Sequence, residues 1–353
     1  MTEMMEAKKV QISSGETEGG MDLMGALVKS AGYGSDSKAE KSKTDYLTDQ
    51  EILANAFVFI LAGHETTANT IHFALILLAM EPEEQRRLQK DVESIFKGID
   101  SSEWDYDTYL PRLFGGMVGA VMNETLRLIP PAVNIPKYTL DWQPLTIDGK
   151  QYKIPPKVML NLTASAVHRD SRYWPSGPVG PRDEAWHPTS NHEDDLNEFR
   201  PSRWILTDNQ TKKSAEKPNG NSINKEVEDL GVNTAEDTAE TLFKPMKGSY
   251  IPFSDGFRSC IGRRFAQVEV LVVLARIMSE YSVEFAVDKY ASDEELALMS
   301  EAQKKEIWKK ARHEARETLR TRMGSIITIQ LRSGSYIPLR FVRKGKENFT
   351  FSR

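Results

Sequence analysis

Cys260 is the only cysteine among 353 residues, so it has no intrachain disulfide partner. It closes the loop Phe253-Ser254-Asp255-Gly256-Phe257-Arg258-Ser259, and Ile261-Gly262 lead at once into an apolar helical segment. A helix N-terminus turns its first backbone N–H groups toward such a residue and favours thiolate over thiol. A thiolate presented in this way is one of the few protein ligands able to hold a haem iron axially. A lone cysteine is also, in most proteins, an inert buried side chain. Position alone leaves both readings open.

Two further clusters carry chemistry. Ala62-Gly63-His64-Glu65-Thr66-Thr67 lies in the middle of a long apolar segment. Gly63 costs a helix about 1 kcal/mol relative to alanine. Thr66 and Thr67 can return their hydroxyls to carbonyls one turn back and bend the helix. An acid beside an alcohol is suited to proton delivery. The plain alternative is a tolerated glycine and an acid with a local partner. In the other cluster, Glu124 and Arg127 stand three apart on one helical face. Met117, Val118, Val121, Met122 and Leu126 surround them. The pair is therefore expected to be buried, and a buried pair needs further partners.

The elements that must position these residues are mainly helical. Thr48 and Glu51 form a capping box that starts a helix running to about Met80, where Glu81-Pro82 breaks it. Such a helix spans roughly 48 Å and should cross the interior. Residues 83–97 continue helically, with Glu83, Glu84, Arg86, Arg87, Lys90 and Asp91 expected on a solvated face. Residues 112–129 form a helix ended by Pro130-Pro131. Residues 144–165 read as strands with a hairpin turn at Asp148-Gly149, and His168 beyond them reads as a loop-packing residue. A helix covers 261–280, and 292–321 reads as a charged, exposed helical insertion. The segments Ser325–Leu331 and Tyr336–Val342 read as a hairpin about Ser333-Gly334. The fold class is mainly α with small β-sheets. Residues 1–43 are expected to be mostly disordered, with one short helix near Met21–Val28, and 207–240 to be a solvated polar insertion.

Composition narrows the function. Hydrophobic residues make up 39% and charged residues 27%, as in ordinary globular proteins. A net charge of −5 gives no reason to expect nucleic acid as a partner. Met1 to Val10 is polar and charged, with no signal-peptide core. Ile52 to Met80 is broken by Asn55, His64, Glu65, Asn69 and His72, which a membrane span would not tolerate.

The run F-S-D-G-F-R-S-C-I-G at 253–262 resembles the haem-binding loop of the cytochrome P450 superfamily, F-x-x-G-x-R-x-C-x-G, at every defining position. A-G-H-E-T-T at 62–67 resembles its oxygen-binding groove, Glu124–Arg127 its E-x-x-R pair, and Glu198–Trp204 its second structural motif. The four occur in the family's order, over about residues 20–345, and look eukaryotic, of fungal type. The resemblance implies a P450 fold over 44–345, flanked by the 1–43 segment and a 346–353 tail, and haem as cofactor. It implies Cys260 as the iron ligand, in a loop formed by Phe253, Gly256, Arg258 and Gly262. Arg258 would meet a haem propionate, as would Lys137 where many members place an arginine; a solvated surface lysine is the alternative for Lys137. Ala62 and Gly63 would border the oxygen site, Thr66 would hydrogen-bond O2, and Glu65 would relay protons. Glu124, Arg127 and Arg203 would form a structural network. The implied activity is insertion of one oxygen atom from O2 into a small apolar organic substrate, in secondary metabolism, with electrons from an NADPH-dependent reductase. A haem-thiolate isomerase or lyase and a non-catalytic fragment are the alternatives. The resemblance lacks most of the region that family members carry before the groove helix, which implies that one face of that helix is exposed. The expected location is the cytoplasm for this chain, or the endoplasmic reticulum membrane with the family's N-terminal anchor.

Overall fold

The structure is a computed structural model and describes residues 1–15, 22–33, 46–177, 194–206, 238–325 and 327–350. The chain divides into two units, Met1–Thr66 and Thr67–Arg353. The polar insertion expected at 207–240 lies outside the described residues as far as 237.

In the first unit, α1 (Thr2–Ser13) and α2 (Leu23–Ser30) precede the N-terminal half of α3 (Asp49–Met80). The expectation of disorder is therefore corrected for α1. Its sequence is polar on average, but Met5 and Ile12 are buried with Val28 and Ile52 in a small core. Lys9 adds a 2.7 Å ion pair to Asp49. The α3 capping box forms as expected: the Thr48 N–H donates to Glu51 at 2.8 Å, and the Glu51 N–H to Thr48 Oγ1 at 3.3 Å.

The second unit is built around α6 (Met117–Leu128), in which every residue is buried. It follows α4 (Pro82–Phe96) and α5 (Tyr106–Gly115). Gly119 allows the tight α5–α6 junction, since a Cβ there would meet the Phe114 carbonyl oxygen at 2.0 Å. The start of α6 has no cap of its own, and Asp91 of α4 supplies one by accepting the Met117 N–H at 2.7 Å. Asp91 is thus turned inward, not to solvent. Glu84 is also largely covered, and burial pushes its carboxyl up to about 7. The solvated face expected for α4 is correspondingly narrower.

Among the described residues the strands form four antiparallel two-stranded sheets. β1 (Asn134–Tyr138) pairs with β4 (Met159–Thr163), and β2 (Gln143–Ile147) with β3 (Lys150–Ile154). The β2–β3 turn is the one expected, with Asp148 and Gly149 both at positive φ (48° and 76°). After α7 (Ala164–Val167), α8 (Arg263–Glu280) runs directly into β5 (Tyr281–Phe285). Two further helices follow, α9 (Asp293–Leu298) and α10 (Glu301–Arg322).

The C-terminal hairpin is not formed as expected. β7 (Ile329–Leu331) pairs with β6 (Met323–Ser325), while β8 (Leu339–Arg343) pairs with β5. Strand β5 is buried over Ser282–Phe285, so β8 joins the core sheet in preference to its sequence neighbour. The other side of β5 is closed by side chains: Gln85 Nε2 donates to the Val283 carbonyl at 2.9 Å and Gln85 Oε1 accepts the Val283 N–H at 2.6 Å. Gln89 Nε2 donates to the Tyr281 carbonyl at 3.0 Å.

The 292–321 segment is helical, as expected, but is not an exposed insertion. α10 buries Ile307, Trp308, Ala311, Ala315 and Leu319 in the core. Trp308 Nε1 and Arg312 Nε donate to the terminal α3 carbonyls of Ala79 and Met80 at 3.3 and 3.1 Å. These carbonyls lack intrahelical partners, and Pro82 has no N–H to offer them.

Candidate functional site

The cysteine loop is anchored before it begins. Ile251 is buried with Ile135 of β1 and Ala164 of α7, and its N–H donates to His168 Nε2 at 2.8 Å. His168 Nε2 is then the acceptor, so Nδ1 carries the proton that it donates to the Arg127 carbonyl at 3.2 Å. Burial pushes the ring down to about 3, which keeps it neutral. His168 therefore joins the Glu124–Arg127 helix to the segment that carries the cysteine. Its expected packing role holds, and it is more specific than the sequence indicates.

Beyond Ile251 the chain turns back on itself. Ser254 (φ 62°) and Gly256 (φ 76°) take left-handed conformations, and Asp255 Oδ1 accepts the Gly256 N–H at 2.7 Å. The Cys260 N–H donates to the Phe253 carbonyl at 2.9 Å, closing the loop, and α8 begins three residues later with Gly262 as its cap. The Cys260 side chain is exposed. Apolar neighbours in sequence stay exposed with it: Phe257 at 75%, Ile261 at 81% and Phe265 at 64%. Arg258 is exposed in the same loop.

Lys137 comes to the loop from β1. Its Nζ donates to Ser254 Oγ at 3.1 Å and to the Asp255 carbonyl at 3.4 Å. It is half-buried. The loop thus gathers Lys137, Phe253, Gly256, Arg258, Cys260 and Gly262.

Ala62, Gly63, Glu65 and Thr66 lie on adjacent turns of α3 in the first unit. The helix continues unbroken through them, and Thr66 Oγ1 donates back to the Ala62 carbonyl at 2.8 Å. A Cβ added at Gly63 would meet nothing within 4 Å. Packing among the described residues therefore does not require a glycine there. Gly63→Ala is expected to stabilise the chain by about 1 kcal/mol in urea unfolding. A loss of stability would mean that the glycine serves the fold and not an adjoining ligand.

Glu124 and Arg127 are fully buried, and Arg203 joins them as expected. Glu124 Oε1 accepts from Arg127 Nη2 at 2.8 Å, Arg203 Nε at 3.0 Å and the Arg200 N–H at 3.0 Å. Oε2 accepts from Arg127 Nε at 2.8 Å and Trp204 Nε1 at 2.9 Å. Burial alone would raise this carboxyl, but the two guanidinium groups overcome it and hold the pKa at about 2. Arg127 also donates to the His168 and Leu196 carbonyls at 3.1 and 2.7 Å. Trp204 was not singled out by sequence, although it directly follows Arg203 in the motif.

The sequence matches the family model of cytochrome P450 over residues 1–178 and 236–309. The chain belongs to the cytochrome P450 family. It is 30% identical over 301 residues to a cytochrome P450 monooxygenase of Arthrobotrys oligospora, covering 82% of this chain and 45% of that protein. Cytochrome P450 3A13 of Mus musculus is 28% identical over 264 residues, or 75% of this chain and 39% of that one. The chain thus spans less than half the length of these curated relatives. Among solved structures, a cytochrome P450 heme domain matches with a TM-score of 0.55 at 20% identity, covering 97% of this chain and 53% of the other. A second cytochrome P450 matches at 0.58 and 19%, covering 97% and 55%. The expected family and the mainly α fold with small sheets are borne out.

P450s are haem proteins, and the loop suits that cofactor. It combines one exposed soft donor, exposed apolar side chains of the kind a flat macrocycle would cover, and cations at Lys137 and Arg258. Among the described residues no helix is long and apolar enough to cross a membrane.

Proposed function

We propose that this P450 chain is a haem-thiolate monooxygenase component that inserts one oxygen atom from O2 into an apolar organic substrate, with electrons from an NADPH-dependent reductase. The reading is carried by the loop that ties the Cys260 backbone to Phe253 while leaving its side chain exposed among apolar neighbours. Bound haem would supply the oxygen-activating chemistry. Cys260 would hold the iron as thiolate, and Arg258 and Lys137 would meet the propionates. Lys137 already spends two donors on the loop and has one left to give.

On α3, Ala62 and Gly63 would border the oxygen site and Thr66 would donate its hydroxyl proton there. To do so it must exchange the bond it now gives to the Ala62 carbonyl. Glu65, next to it, would return a proton to that hydroxyl.

The test is reconstitution of the purified chain with haem, followed by reduction and exposure to CO. The shifted absorbance band of a thiolate-ligated carbonyl complex is expected. No haem uptake, or a histidine-type spectrum, overturns the reading. A second reading, a non-catalytic chain acting through contacts, draws on the exposed Phe57, Val58, Ile60 and Leu61 of α3. It predicts no haem uptake in the same experiment.

A further inference from the structure

The buried face of α10 is uneven. Ile307, Trp308 and Leu319 fill it with large side chains, whereas Ala311 and Ala315, one turn apart between them, present a single methyl group each. Beside these alanines is a cavity of about 280 Å3, bounded on its other side by Phe285 at the end of β5 and by Ile337 and Pro338 just before β8. Among the described residues, none from the cysteine loop, from β1 or from the 62–67 segment lines it. Its α10 wall from Ala311 onward and its Tyr336–Pro338 wall lie beyond residue 309, where the family match ends.

The lining selects a ligand by size and shape. A volume of about 280 Å3 lies at the lower end of the range for small-molecule sites, roughly 300–1,000 Å3, which suits one ring system and excludes a peptide. Phe285, Tyr290 and Tyr336 all contribute to the walls, so the cavity offers aromatic rings on which another ring can stack or set its edge. Tyr336 is 75% exposed, an aromatic side chain left without cover at this site.

Charge and hydrogen bonding narrow the class further. Lys289 pairs with one oxygen of Glu314, and the other oxygen accepts from the Tyr290 hydroxyl. The Lys289 ammonium also stands 4.8 Å from the centre of the Tyr290 ring. The two charges that line the cavity therefore answer each other, and the site calls for neither a cation nor an anion. The Thr318 hydroxyl, half-buried on the α10 wall, has no hydrogen-bond partner among the described residues. A hydroxyl can donate to and accept from a second hydroxyl. We propose that this cavity is a small-molecule site, apart from the cysteine loop, that takes an uncharged planar aromatic compound bearing a hydroxyl group.

The purified full chain is titrated into naphthol, and binding is followed by the change in naphthol fluorescence. Saturable binding is expected. Naphthalene, which lacks the hydroxyl, should compete roughly two- to tenfold less well. Naphthalenesulfonate, which is charged, should not compete. Tyr336→Ala removes an exposed ring and should weaken binding roughly two- to tenfold. Thr318→Trp fills the cavity from a half-buried position and should abolish binding at unchanged helix content. Should the Thr318→Trp variant lose helix content, Tyr336→Ala decides alone. Wild-type chain that does not bind naphthol overturns the proposal, as does binding unchanged in the Tyr336→Ala variant or in a folded Thr318→Trp variant. So does competition by naphthalenesulfonate, or by naphthalene as strongly as by naphthol itself.

Discussion

Glu124→Gln is expected to cost about 3–5 kcal/mol in urea unfolding at neutral pH, a large share of the stability of an ordinary domain. Five donors converge on the two oxygens of this carboxylate. Glutamine offers one acceptor oxygen and turns an NH2 group against the donors on the other side. Arg127 and Arg203 would remain buried without the charge that compensates them. Trp204→Phe removes one donor only and should cost about 1 kcal/mol. If the glutamine variant costs no more than the phenylalanine variant, the carboxylate is not the centre of the network.

The same carboxylate sets a pH signature. Its folded pKa, at about 2, lies below its ordinary 4.5, so its contribution is complete above 4.5 and is lost as pH falls toward 2. His168 acts in the same direction from higher pH. Its ring is held neutral in the fold, at about 3 against an ordinary 6.5, so the unfolded chain binds the extra proton and stability falls as pH drops below 6.5. Glu84, raised in the fold to about 7, binds its proton there before the unfolded chain does and so opposes His168 between about pH 7 and 4.5. Wild-type stability should therefore fall mainly below pH 4.5, and the Glu124→Gln variant should fall less steeply there.

What could be read from the sequence follows from how local each cause is. The cysteine loop was legible through the family resemblance; its local signal is Gly256, which sits at φ 76°, whereas the N–H by which Cys260 closes the loop is one that any residue but proline offers. Burial of Glu124 and Arg127 was legible from the apolar residues around them. Their third partner, Arg203, stands 79 residues from Glu124 and entered only through the family resemblance. The roles of Gln85 and Gln89 were not legible, because a buried amide bonded to a strand edge has the same composition as a solvated one. Nor was the pairing of β8 with β5, since no local signal chooses between a near strand and a distant one. In α10 the signal was present but outweighed: Ile307, Ala311, Ala315 and Leu319 repeat every four residues beneath a dense cover of charges.

Cys260→Ala should abolish the thiolate-type carbonyl band and any oxygenation while leaving the fold intact. The two effects separate because the residue serves the loop and the proposed ligand through different atoms. Its N–H, which closes the loop on the Phe253 carbonyl at 2.9 Å, is kept by alanine. Its side chain is exposed, so removing the sulfur should change stability by no more than about 0.5 kcal/mol. Thr66→Ala gives the contrasting result. It leaves the sulfur in place, so the band should persist, while electrons are released as peroxide for want of the hydroxyl proton donor. The cysteine count makes the first result decisive. With no second thiol anywhere in the 353 residues, a thiolate-type band that survived Cys260→Ala could arise only from sulfur outside the chain.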